Sequence, residues 1–138
     1  MNISAEREEA IRERFINNNS FPRLMGVVLD AIGDSRARLS VEVTERLKQP
    51  QGVMHGGAIA TLIDTAVALA IVGTTETDER FTTVNMSVNY LSPVREGRVA
   101  AEARIVRKGR RIIVADCEVS DSDGKLIAKA LVTYMLLS

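Results

Sequence analysis

One acid stands out by its surroundings. Asp64 lies in the run Gly57 to Val72, Gly-Ala-Ile-Ala-Thr-Leu-Ile-Asp-Thr-Ala-Val-Ala-Leu-Ala-Ile-Val, which contains no Lys or Arg to pair with it. A carboxylate among Leu62, Ile63, Ala66 and Val67 is costly unless it is hydrogen-bonded or put to use. Either it is a structural carboxylate held within a sheet or interface, or it does chemistry. Upstream, His55-Gly56-Gly57 stands where a loop gives way to that run. In the plain reading the glycines make a tight helix entry. The chemical reading adds that glycine lets a ligand approach the backbone closely. The first N–H groups of a helix also have no internal partners and sit at the positive dipole end. An N–H aimed there at a carbonyl oxygen is an oxyanion hole, and Gly57 is its candidate donor.

The rest of the inventory narrows the chemistry. His55 and Cys117 are the only histidine and the only cysteine, so a zinc site built from these residue types lacks ligands, and no metal is expected. A Cys–His pair would have to draw Cys117 from a predicted strand far along the chain. No GxGxxG or Walker loop is present, so nucleotide phosphates are not expected, nor any cofactor. Formal net charge is zero, which gives no bulk attraction to nucleic acid. A single cysteine allows no internal disulfide and fits a reducing, cytoplasmic setting. Met1 to Ala10 is rich in Glu and Arg with no apolar signal region, and the stretch around Ala66 to Val72 is too short to span a bilayer, so neither export nor a membrane is expected.

Position for these residues comes from alternating elements. At 138 residues the chain suits one domain, 1–138, with 46% apolar residues to build its core. Ser4 to Asn17 reads as a short amphipathic helix with Ile11 and Phe15 a turn apart and Glu8 placed to pair with Arg12; Asn17 to Ser20 and Pro22 end it. Val27 to Ile32 and Arg36 to Val43 are strands, the second alternating Ala37, Leu39, Val41 and Val43 against polar neighbours. Gly57 to Val72 is a helix apolar nearly all round, stopped by Gly73 as glycine commonly does.

Four strands follow: Thr82 to Leu91, Arg98 to Arg107, Arg111 to Ser120 and Lys125 to Leu137. In the first of them Val84, Met86, Val88 and Tyr90 share one face, and Thr83, Asn85, Ser87 and Asn89 the other. Short turns, among them Asp121-Ser122-Asp123-Gly124, imply an antiparallel sheet of six strands wrapped around one long helix, an α+β fold. One sheet does not easily cover a helix apolar on every side, so at least a dimer is expected. Gly57 and Asp64 share a helix face but lie about 10 Å apart along the axis at 1.5 Å per residue. Two antiparallel copies would bring Gly57 of one near Asp64 of the other, giving a composite site at a subunit interface.

The stretch His55-Gly56-Gly57-Ala58-Ile59-Ala60-Thr61-Leu62-Ile63-Asp64-Thr65-Ala66 resembles the signature of hotdog-fold thioesterases of the PaaI-like branch. So do Pro50-Gln51-Gly52-Val53 before it and Val84 to Pro93 after it, while Gly109-Arg110-Arg111 and Asp123-Gly124-Lys125-Leu126 match the last two hairpins. The resemblance spans roughly Met25 to Leu136. It implies hydrolysis of acyl-CoA or aryl-acyl-CoA to acid and CoA, by a cytoplasmic homotetramer with no cofactor. It also implies roles. Gly57 N–H polarises the thioester carbonyl, Asp64 of the facing subunit is general base or nucleophile, and His55 orients the carbonyl site. Thr83 helps hold the water, unless it is simply a strand residue.

The family pattern has Asn before the Pro-Gln-Gly run, and this chain has Gln49, one methylene longer, which alters positioning. Gly56 and Asn85 fall within the matching stretches as substrate contacts. Arg95 and the turn residues Arg107, Arg110 and Arg111 are candidates for CoA phosphates, or plain solvated cations. Two other functions stay open: a non-catalytic acyl-CoA binder, kept alive by Gln49, and an acyl-CoA hydratase or dehydratase, against which His55 in its His-Gly-Gly turn argues.

Overall fold

The computed structural model describes residues 3–74 and 79–137. Its longest helix, α3 (Gly56–Val72), lies against one antiparallel sheet of β1 (Val28–Gly33), β2 (Arg36–Glu42), β3 (Phe81–Tyr90), β4 (Arg98–Lys108), β5 (Ile112–Asp121) and β6 (Leu126–Leu136), in the order β1-β2-β4-β5-β6-β3. The expected strands and central helix all appear within a residue or two of their predicted bounds. Leu62, Ile63, Ala66, Val67 and Ala70 of α3 are fully buried, as are Leu39, Val41, Val99, Ala101, Ile113, Ala115 and Val119 of the sheet. Each such aliphatic side chain larger than alanine contributes roughly 1.5–3 kcal/mol when removed from water. Cys117 is one of these core residues, and burial pushes its thiol up to about 12, which leaves it inert.

Four expectations need correction. The N-terminal helix is α1 (Ala5–Arg12) followed by a π-helical turn, Glu13–Asn17, in which Ile16 is buried as Ile11 is in α1. The Glu8–Arg12 pair forms at 2.9 Å. Pro22 does not keep the chain out of helix: it occupies the first turn of α2 (Ser20–Met25), where its missing N–H costs nothing, and Gly26 in the left-handed region ends that helix.

Gly73 ends α3 with φ −66°, a right-handed conformation open to any residue. Its glycine answers to a close approach instead, since a Cβ there would lie 2.6 Å from the carbonyl oxygen of Gly33. Strand β3, although followed in the chain by β4, does not pair with it. It crosses to the far edge beside β6, and the returning link donates Leu91 N–H to the carbonyl of Ile127 at 2.8 Å. The carbonyl of Val94 in that link accepts from Met54 N–H at 2.8 Å, which fixes the loop leading into α3.

A bulge alters the face of β3. Thr83 pairs with Tyr134 but Asn85 with Thr133, so Val84 is the extra residue and parity reverses across it. Thr83 thereby shares the helix-facing side with Met86 and Val88, while Val84 is 55% exposed. Strict alternation had placed Thr83 and Val84 the other way about. No helix among the described residues is long and apolar enough to cross a membrane.

Candidate active site

Asp64 sits half-buried on α3, and the sheet reaches it through two hydroxyls. Thr83 Oγ1 donates to Asp64 Oδ1 at 2.9 Å, and the Tyr134 phenol donates to the same oxygen at 2.7 Å, with the Asp64 backbone carbonyl 3.1 Å away as an alternative acceptor. Asp64 Oδ2 has no hydrogen-bond partner among the described residues. The carboxylate is therefore anchored by one oxygen and open at the other. Tyr134, 4% exposed, is steadied by Phe81, whose ring lies 5.7 Å away at a 58° tilt. Burial, partly offset by the Thr83 hydroxyl, raises the Tyr134 phenol well above an ordinary tyrosine, so it stays a proton donor.

Sequence reasoning missed Tyr134. The available signal was its place between Val132 and Leu136 on the buried face of β6, since a buried phenol demands an acceptor. The bulge at Val84 then turns Thr83 to the same acceptor, so three elements converge on one oxygen.

The helix start is built separately. His55 is the N-cap of α3, and its Nδ1 accepts from Gly57 N–H at 2.8 Å. In the neutral ring this leaves the proton on Nε2. Glycine at 57 makes room for that ring, because a Cβ would lie 3.0 Å from Nδ1. Gly56 N–H has no acceptor among the described residues. Its carbonyl accepts from the Tyr90 phenol at 3.1 Å, which ties the first turn of α3 to the end of β3. Leu47 carbonyl takes His55 N–H at 2.7 Å and completes the anchoring of the turn.

Gln49 is exposed in the entry loop, its amide turned onto Gln51, where Nε2 donates to Gln51 Oε1 at 3.3 Å and Oε1 accepts from Gln51 N–H. Arg95 joins the same loop, donating to Gln51 carbonyl at 3.3 Å. Asn85 is exposed on β3 beyond the bulge. Arg107, Arg110 and Arg111 are exposed at the β4–β5 turn, near the end of β6, where Arg111 carbonyl accepts from Leu136 N–H at 2.7 Å.

One chain thus holds two groups: Asp64 with Thr83 and Tyr134, and the helix start with Gly56, Gly57, His55, Gln49 and Arg95. They stand about 12 Å apart along α3, at 1.5 Å per residue. Chemically, the first group offers a fixed carboxylate and the second an uncommitted N–H at a helix dipole's positive end.

The chain is similar to known proteins over nearly all its length. Residues 51–128 match the Thioesterase superfamily, a span that includes Asp64 and Thr83 but neither Gln49 nor Tyr134. The chain is 31% identical to the medium/long-chain acyl-CoA thioesterase YigI of Salmonella typhimurium, with 97% of each chain covered. Among solved structures, conserved protein PA5202 from Pseudomonas aeruginosa superposes with a TM-score of 0.86 at 33% identity, covering 91% of this chain and 98% of that one. Thioesterase HI1161 from Haemophilus influenzae gives 0.86 at 26% identity, covering 100% and 93%.

Proposed function

The chain belongs to the thioesterase superfamily and is a thioester hydrolase, and from that premise we propose that it cleaves acyl-CoA to free acid and CoA at a site shared by two copies. The observation that carries this reading is the divided Asp64 carboxylate, with Oδ1 held by Thr83 and Tyr134 and Oδ2 open. A water beside Oδ2 gives up a proton to it while its oxygen bonds to the thioester carbon. The carbonyl oxygen becomes an oxyanion, and its collapse expels CoA thiolate, which takes the proton. Direct attack by Oδ2 through an acyl-aspartyl anhydride is the other route to the same products.

The oxyanion donor belongs to the second copy. Spacing put it at Gly57, but that N–H is held by its own cap at 2.8 Å, so the proposal moves it one residue to Gly56. His55 then acts as a positioning residue for the turn. Its commitment as a cap argues against the hydratase alternative, which needs a histidine working on substrate.

Two features support a second copy. Strand β3 is an unpaired sheet edge, and the stripe Thr61, Asp64, Thr65 and Ala68 on α3 is left half-exposed. A two-fold joining these faces sets α3 antiparallel to its twin and brings one Gly56 toward the other Asp64. A homotetramer as a pair of such dimers, a cytoplasmic setting and a place in the PaaI-like branch belong to the same proposal. So do CoA contacts from Asn85, Arg95, Arg107, Arg110 and Arg111, and chemistry drawing on protein groups and water alone.

The test is free-thiol release from a panel of acyl-CoAs by wild type and Asp64→Asn. The expected result is at least a hundredfold loss of kcat in a variant that stays folded and oligomeric. Equal turnover in both removes Asp64 from the chemistry. Tight acyl-CoA binding without thiol release favours the binder, in keeping with a Gln49 amide turned onto Gln51.

A further inference from the structure

A cavity of about 530 Å³ lies between the N-terminal helix and the far end of α3, with Ala10, Ile11, Phe15, Val72, Phe81 and Leu137 as its apolar lining and the charged residues Arg7, Arg14, Glu79 and Arg80 completing its wall. Its floor adjoins the proposed site, because the Phe81 ring packs on Tyr134, the donor to Asp64. Its roof is held by a specific bond: Arg7 Nη2 donates to the Val72 carbonyl at 2.8 Å, pinning α1 over the last turn of α3. That turn contains no basic residue of its own, so Arg7 also supplies the cation that a helix C-terminus favours. Nothing in the proposed hydrolysis uses this chamber.

We infer that the chamber receives the distal part of a straight acyl chain whose thioester carbonyl stands at Asp64. This rests on the hydrolase reading above and adds to it the substrate's length. From Thr83 to Phe81 is two strand residues, about 7 Å at 3.3 Å each. From Asp64 to Val72 is eight helical residues, about 12 Å at 1.5 Å each. With carbon–carbon bonds near 1.5 Å and tetrahedral angles, an extended chain advances about 1.25 Å per carbon. A four-carbon chain therefore stops short of Phe81, about six carbons reach it, and about ten reach Val72. The apolar part of the wall rewards each methylene that it buries fully, by about fourfold in kcat/KM.

Hydrolysis by wild type is measured on saturated acyl-CoAs of four to fourteen carbons, beside Ala10→Trp. Ala10 is an exposed alanine on the chamber wall, so the indole fills the space without displacing core residues. Wild-type kcat/KM should climb from about six to ten carbons and then level. The variant should lower the ratio of twelve- to four-carbon kcat/KM at least tenfold, through KM. A flat wild-type profile, or equal losses on both substrates, overturns the chamber. If Ala10→Trp does not fold, Leu137→Trp, at a position 45% exposed, is read by the same criterion. If no thioester is turned over, the hydrolase reading falls separately, and calorimetric titration with butyryl and decanoyl thioether analogues of CoA decides the chamber. Decanoyl binding at least tenfold tighter upholds it, and equal binding sinks it.

Discussion

Tyr134 and Asp64, 70 residues apart in the chain, meet at 2.7 Å through a phenol that donates and a carboxylate oxygen that accepts. The bond leaves Asp64 with one oxygen fixed and one available, and it fixes the direction in which the available one points. A hydroxyl donor is a better anchor for this purpose than a cation. It sets the orientation of the carboxylate through a directional bond and adds no charge to the site.

Removing that anchor should loosen the acid more than the fold. Tyr134→Phe keeps the ring packed on Phe81 and deletes only the donor. We expect kcat to fall by about tenfold to a hundredfold and stability by about 1–2 kcal/mol, read by thiol release and urea unfolding. Thr83→Val should show the same pattern more weakly. The double variant should lose less than the sum of the two, because both donors serve one oxygen.

The same phenol gives a pH signature. Burial raises its pKa on folding, with Thr83 offsetting part of the rise. A group raised in this way contributes stability below its unfolded value of about 10 and loses it as pH climbs toward the folded value. Between about pH 9 and 11.5, wild type should therefore lose unfolding free energy more steeply than Tyr134→Phe. Parallel slopes would show that the phenol ionises freely.

At the helix start, His55→Ala removes the cap from Gly57 N–H and should cost about 1 kcal/mol of stability. Gly57→Ala attacks the same bond from the other side, since its Cβ would press on the imidazole at 3.0 Å. Both should reduce kcat, with His55→Asn, a capping side chain, recovering the stability. Failure of Asn to restore the melting temperature would remove the cap as the reason for His55.

The exposed edge makes a prediction about assembly. Val84→Lys places a charge at the bulge of β3, where the side chain is already 55% exposed and little of the core is disturbed. Sedimentation should show the variant shifted to monomer, with thiol release lost in proportion. A fully active monomer would refute the shared site.

Gly73→Ala tests the close approach of α3 to β1. A Cβ 2.6 Å from the Gly33 carbonyl forces backbone to move and should destabilise by about 1–3 kcal/mol, where a helix-ending glycine without a neighbour would tolerate alanine.

Much of this architecture is written in local pattern. The alternation of Ala37, Leu39 and Val41 and the unbroken apolar run around Asp64 dictate a sheet and the helix it covers, and the strand bounds follow from turns rich in Gly, Asp and Ser. The parts that escaped depend on long-range or sub-residue events. A bulge leaves no mark in composition, so Thr83 and Val84 were assigned to the wrong sides. The passage of β3 to the far edge depends on which strand offers a free ladder. The contact of Gly73 with Gly33 joins positions 40 apart, which one-dimensional reading sees only as two glycines. Asp64 was visible because its neighbours repel charge, whereas Tyr134 was hidden because a tyrosine suits a strand with or without a task.

The sheet order carries a consequence for how the molecule comes into being. The last strand to be made, β6, is the one that lies between β5 and β3 and brings Tyr134 to Asp64. During synthesis β3 has no sheet neighbour to zip against until β6 has left the ribosome. Every nascent length that lacks β6 therefore carries an unsatisfied strand and an unfinished acid, and the Asp64 carboxylate acquires its alignment only once β6 has joined the sheet.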